Sequence, residues 1–123
     1  MKTILVIDDF RELNQDICEI LELEGYATCN AGNGVDGLRA IETYHPDLIL
    51  CNINMPNMDG YELVQHLRED PQYAPFASTP LIFVTARTTT TDIQYGMDTG
   101  ADAYITKPFN PDDMLKTIAT FLA

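Results

Sequence analysis

"LILCNINMPNMDG" (residues 48–60) decides how this chain folds and where its chemistry lies. Leu48, Ile49, Leu50 and Cys51 are apolar in succession and leave no polar face, so they read as a strand buried on both sides. The run stops at Asn52, and Asn54, Met55 and Pro56 follow it in a loop over 52–59. A strand tip that forms a site often carries a charge. This one carries a neutral amide.

Working outward, the same kind of apolar run recurs. "TILVI" (3–7), "YATC" (26–29), "DLILC" (47–51), "LIFVT" (81–85) and "DAYIT" (102–106) read as five strands. Between them, Leu13, Ile17, Ile20, Leu21 and Glu24 fall on helical spacing before a stop at Gly25. Val35, Leu38 and Ile41 mark a second helix halted by His45-Pro46, and Tyr61, Leu63, Val64 and Leu67 a third. Residues 69–80, "EDPQYAPFASTP", read as a proline-punctuated loop. A short helix is expected within 88–100, with threonine N-cap candidates and Gly100 as its stop. The closing helix, 110–122, opens with Asn110 as N-cap, Pro111 at the first helical position and acids in the first turn. Alternating strands and helices with fully apolar strands imply a parallel sheet covered on both faces by right-handed crossovers. The expectation is one doubly wound α/β domain over 1–123, with five strands, five helices and no repeat or linker.

Composition narrows the functions. Seven Lys+Arg stand against 19 Asp+Glu, for a net charge of −12. That balance argues against direct contact with nucleic acid or an anionic membrane, because phosphates need clustered cations. It is compatible with a metal cation or a basic partner surface. Cys18, Cys29 and Cys51 form no CxxC pair and read as reduced thiols of a cytoplasmic protein. "MKTILVIDD" meets acids too early for a signal peptide, and no apolar run reaches membrane-spanning length.

In doubly wound sheets the site lies at the carboxyl ends of the strands. Those ends carry Asp8 and Asp9, Asn52, Thr85 and Lys107. Singly, each has an ordinary structural reading: acids as turn residues, threonine as a strand end, lysine as solvated surface. Together they suit a hard cation and a phosphoryl group, since carboxylate, amide and backbone oxygens fit Mg²⁺, while Lys107 and the Thr85 hydroxyl could hold phosphoryl oxygens. Thr106-Lys107-Pro108-Phe109 is a candidate for a cis Lys–Pro bond. An aspartate at position 52 could attack a phosphoryl donor; an amide is a far poorer nucleophile.

"VIDDF", "NINMPNMDGYEL", "VTA" (84–86) and "GADAYITKPF" (100–109), in this order and at these spacings, resemble the receiver domains of two-component response regulators over the whole chain. The resemblance implies a flavodoxin-like sheet of order 2-1-3-4-5. It further implies that Asp9, the side chain at 52 and the Asn54 carbonyl bind Mg²⁺ directly, with Asp8 acting through water. Thr85 and Tyr104 would be the coupled switch pair, Lys107 the contact to the phosphoryl group, and Asn54 and Arg87 rate-tuning positions. Implied partners are a histidine kinase or phosphotransfer protein and an output domain, fused or separate. The segment 91–122 would serve as signalling and homodimer face. Direct binding to nucleic acid or membrane is not expected.

The departure from the family is Asn52, where the family's pattern has Asp. Without an acyl phosphate, Tyr104 is expected to stay outward. Two accounts of Asn52 stand: an engineered, phosphorylation-deficient Asp-to-Asn form, and a natural receiver acting as a phosphorylation-independent interaction module. Asp8, Asp9, Thr85 and Lys107, all present, favour the first. No enzyme activity is expected beyond self-phosphotransfer and autodephosphorylation were position 52 Asp. A flavodoxin-like electron carrier would need a phosphate cradle where Asp8-Asp9-Phe10 stands. A haloacid-dehalogenase-like phosphatase would need an acid at Phe10. With no output domain after the last helix, the chain is expected to be a stand-alone receiver or the excised N-terminus of a longer regulator or hybrid kinase.

Overall fold

The computed structural model describes residues 1–122. Five parallel strands, β1 (Thr3–Ile7), β2 (Ala27–Ala31), β3 (Leu48–Cys51), β4 (Leu81–Thr85) and β5 (Ala103–Thr106), form one sheet of order β2-β1-β3-β4-β5. The helices between and after them are α1 (Arg11–Leu23), α2 (Gly34–Tyr44), α3 (Gly60–Glu69), α4 (Thr90–Thr99) and α5 (Pro111–Leu122).

Successive strand residues point to opposite faces, and this sorts the core into two layers. Leu5, Ile7, Ile49, Cys51, Leu81 and Phe83 meet Leu38 and Ile41 of α2 and Leu63, Val64 and Leu67 of α3. Ile4, Val6, Leu48, Leu50, Ile82 and Val84 meet Ile17 and Leu21 of α1 and Met114 and Ile118 of α5. Both faces are therefore dry, which is why the strands lack polar alternation.

Several ends follow the capping residues. Asn33, Asp59 and Thr89 accept from the backbone N–H of Asp36, Glu62 and Asp92 at the starts of α2, α3 and α4. Asn110 does the same for Asp112 at α5. Gly100, at φ 134°, closes α4.

Two expectations need correction. β2 runs to Ala31 rather than stopping at Cys29, because Val6 and Ile7 pair with Asn30 and Ala31. Residues Pro71–Phe76, expected as loop, form a 3-10 helix capped by Asp70 and anchored by the buried Tyr73. Val35, Leu38 and Ile41 lie in α2 as their spacing predicts, with Val35 exposed. Among the described residues, no helix is long and apolar enough to cross a membrane.

Candidate functional site

Because all five strands run the same way, their carboxyl ends share one rim. Asp8 follows β1, and its N–H donates to the Ala31 carbonyl (3.1 Å). Asn52 follows β3, with its N–H on the Ile7 carbonyl (2.9 Å), so the two tips lie side by side. Lys107 follows β5 and is held by its N–H on the Thr85 carbonyl (2.8 Å).

Asp8 is only 3% exposed. One carboxylate oxygen accepts from the Phe10 N–H (2.9 Å) and the other from Lys107 Nζ (2.9 Å). The buried charge is thereby paired and hydrogen-bonded, as burial requires. The Lys107–Pro108 bond is cis. Asn14, a buried amide not picked out from the sequence, reaches the carbonyls of Val6, Asp8 and Ala31 (3.3, 3.1 and 3.0 Å) and ties the ends of β1 and β2 together. Its signal was available: an amide in register with Ile17, Cys18 and Leu21 on a buried stripe.

Asn52, 8% exposed, sits between three groups. Its Oδ1 accepts from the Ile53 N–H (2.9 Å), and its Nδ2 donates to the Asn54 carbonyl (3.0 Å) and toward Asp9 Oδ1 (3.4 Å). Gly60 lets this loop close, since a Cβ there would stand 2.6 Å from the Asn52 carbonyl oxygen.

On the other side of the rim, Thr85 is fully buried and its hydroxyl accepts from the Arg87 N–H (3.2 Å). Arg87 Nε donates to Asn54 Oδ1 (2.9 Å), so the geometry brings the two expected rate-tuning positions into contact. The Arg87 guanidinium also lies 5.7 Å above the Tyr61 ring and 4.0 Å from Asp92. Tyr61 in turn meets Phe83 and Tyr95 edge-on, at 5.6 and 4.6 Å between centroids. The sequence marks Tyr61 only as a residue of the third helix.

Tyr104, expected to stay outward without a phosphoryl group, is inward instead. Its hydroxyl is buried and lacks a hydrogen-bond partner among the described residues, as does that of Tyr61. The ring packs edge-on against Phe83 (6.0 Å) and over Gly96, where a side chain would intrude to 3.1 Å. An absent side chain on α4 therefore makes room for the inward ring. Burial pushes the Tyr104 phenol well above its ordinary pKa, with Tyr61 and Asp92 adding and Arg87 opposing.

Asp8, Asp9 and the Asn54 carbonyl have the oxygen chemistry Mg²⁺ requires. The side chain of Asn52 does not fit that ion, because it turns its amide nitrogen, a donor, toward Asp9 and Asn54. Among the described residues no group of three or more His, Cys, Asp or Glu is arranged to hold a metal.

A family model described as the response regulator receiver domain matches residues 4–119. The chain is 35% identical over 115 residues to the DNA-binding response regulator MtrA of Mycobacterium tuberculosis, covering 94% of this chain and 48% of that protein. It is 35% identical over 122 residues to the response regulator Rre1 of Synechocystis sp., covering 98% and 52%. It spans about half the length of the curated relatives it matches. Among solved structures, chemotaxis protein CheY4 of Vibrio cholerae is similar at 32% identity and TM-score 0.88, with 98% of each chain covered. A CheY-like receiver domain protein from Methanospirillum hungatei is similar at 34% identity and TM-score 0.88, covering 99% of this chain and 94% of that one.

Proposed function

The chain belongs to the response regulator receiver domains of two-component signalling, and from that premise we propose that residues 1–123 are one receiver whose phosphoacceptor position, 52, is disabled by Asn. The observation that carries the reading is the rim itself: Asn52 at the tip of β3, flanked by Asp9, with the Asp8–Lys107 pair and the Thr85 hydroxyl closing the same edge.

Asn52 has no nucleophilic atom to offer. Its amide nitrogen lone pair is delocalised, and its oxygen is committed to the Ile53 N–H. Aspartate is nearly isosteric and ionised at neutral pH, its unperturbed pKa being about 3.9, so the Asn52→Asp form would have an oxygen able to attack phosphorus. Lys107 would swing between Asp8 and an incoming phosphoryl oxygen, and the Thr85 hydroxyl would donate to a second one. The donor class is a histidine kinase or phosphotransfer protein. Receiver domains as a class bind Mg²⁺ at the phosphorylation site, and in this chain Asn at position 52 leaves that binding weaker than in the Asn52→Asp form. Arg87 and Asn54 tune the rate by covering position 52, while Thr85 and Tyr104 form the switch. The segment 91–122, which exposes Tyr95 and Met97, carries the face for an output partner or a second copy. The setting is the cytoplasm, and no turnover beyond self-phosphotransfer and autodephosphorylation is assigned. Retention of Asp8, Asp9, Thr85 and Lys107 favours an engineered Asp-to-Asn form.

One observation favours a second reading, a natural interaction module independent of phosphate: Tyr104 is already inward with Asn at 52. Partner affinity unchanged by Asn52→Asp, with or without a phosphoryl donor, would support that module. The receiver reading is tested by intact mass after incubation with acetyl phosphate and Mg²⁺. Asn52→Asp should gain one phosphoryl group that alkaline hydroxylamine removes, and the Asn52 protein none. No adduct on Asn52→Asp would sink it.

A further inference from the structure

The acidic rim of this chain has lost more than a nucleophile. The acceptors that a cation would satisfy are the Asp9 carboxylate and the Asn54 carbonyl, and both face the same amide group. The Asn52 Nδ2 donates to the Asn54 carbonyl at 3.0 Å and toward Asp9 Oδ1 at 3.4 Å.

That orientation is fixed while no cation is bound. The Asn52 Oδ1 takes the Ile53 N–H at 2.9 Å. Rotating the amide by half a turn would point an N–H₂ at that N–H and leave the buried backbone donor unpaired. The same rotation would set an amide oxygen against a carboxylate and a carbonyl, three acceptors with no proton among them. The donor pattern around the side chain therefore admits one orientation only. Burial of Asn52 and the close backbone at Gly60 hold the side chain in that place.

Resting on the receiver reading, we infer that the Asn52 side-chain amide acts as a built-in substitute for the divalent cation, holding Asp9 and the Asn54 carbonyl together and competing with Mg²⁺ for both. The partial positive charge of two N–H bonds does part of the work of the ion. The remaining acid, Asp8, is already neutralised by Lys107. The rim is thus self-satisfied without metal.

The inference separates from the ordinary view of an Asp-to-Asn change, in which one ligand is merely weakened. If the amide oxygen were a poor ligand, removing the side chain would weaken Mg²⁺ binding further. If the amide nitrogen competes, removing it strengthens binding although no ligand is gained. The experiment is Mg²⁺ titration of the Asn52, Asn52→Ala and Asn52→Asp proteins, followed by backbone ¹H–¹⁵N shifts of residues 8–10 and 52–54. The Asn52 side-chain NH₂ resonances give a second readout in the unsubstituted protein.

Asn52→Ala should bind Mg²⁺ about threefold to tenfold tighter than the Asn52 protein, the equivalent of one net hydrogen bond released. Asn52→Asp should bind tightest of the three, because affinity rises with ligand charge. The Asn52 side-chain NH₂ resonances should shift together with the backbone signals as Mg²⁺ displaces the amide from Asp9 and the Asn54 carbonyl. Equal or weaker binding by Asn52→Ala, with Asn52→Asp still tight, overturns the inference and leaves the receiver reading standing. Failure of Asn52→Asp to bind better than Asn52→Ala overturns the receiver reading itself. Should Asn52→Ala not fold, Asn52→Ser, too short to span both acceptors, makes the same comparison.

Discussion

Replacing Asn52 by Asp should destabilise this protein when no metal is present. The substitution removes an N–H₂ that donates to the Asn54 carbonyl (3.0 Å) and toward Asp9 Oδ1 (3.4 Å), and puts a carboxylate oxygen in its place. Two unit charges at that separation repel by about 1 kcal/mol in bulk water and about 5 kcal/mol at an effective dielectric constant near 20. Asp9 is exposed while position 52 is buried, so the aqueous value weighs more heavily. Adding the lost hydrogen bonds and subtracting the relief that Lys107 can offer leaves a cost of about 2 kcal/mol. For a domain of this size that corresponds to a fall in Tm of roughly 6–10 °C. Urea and thermal unfolding, followed by far-ultraviolet circular dichroism in EDTA at low ionic strength, measure it directly. The gap should narrow in about 1 M NaCl, where the Debye length is about 3 Å, and again in excess Mg²⁺. An Asn52→Asp protein as stable as the Asn52 protein in EDTA would refute the repulsion and with it the account of the amide as a bridge.

Arg68 donates to the carbonyls of Gly100, Ala77 and Thr79 (3.1, 2.9 and 2.7 Å) and pairs with Asp102 (2.8 Å), which also accepts from the Leu81 N–H. Arg68→Ala should therefore cost about 2–3 kcal/mol in urea unfolding, and Arg68→Lys should recover only part, lacking the planar fork; a loss within the error of the measurement would show that water replaces these bonds. Alkaline pH should also destabilise. Burial lifts the Tyr104 phenol above its unfolded value and, with Cys18 nearby, the Cys29 thiol to about 11. A group whose folded pKa is raised contributes stability that is complete below its unfolded pKa and fades above it, so stability should decline from about pH 8.5 for the thiol and more steeply above about pH 10 for the phenol. Tyr104→Phe, which also deletes an unpartnered buried hydroxyl, should flatten the steeper limb without lowering stability at neutral pH; identical slopes in the two proteins would contradict the assignment.

Some residues were legible alone and others only through their neighbours. Asp8, Asp9, Asn52, Thr85 and Lys107 could be placed on one rim from the sequence because each directly follows an apolar run, and parallel strands put all such ends on the same side. Asn14 and Arg68 escaped because their roles are defined by carbonyls far away in the chain, up to 32 residues for Arg68 and Gly100. The 3-10 helix at Pro71–Phe76 escaped because two prolines in six residues mask the local signal, while the burial of Tyr73 that anchors it is tertiary.

The doubly wound sheet and the identity of the rim residues were thus determined by the sequence itself, through hydrophobic runs whose length and spacing admit few arrangements, while the strand order was legible only through the resemblance of the motifs to receiver domains. Two matters were decided only by the tertiary structure. Tyr104 turns inward because Gly96, on a different element, leaves space beside Phe83. The Asn52 amide turns its nitrogen to Asp9 because the Ile53 N–H claims its oxygen. Both are choices between rotamers of nearly equal intrinsic energy, and such choices are made by packing and hydrogen-bond partners that a linear pattern does not contain.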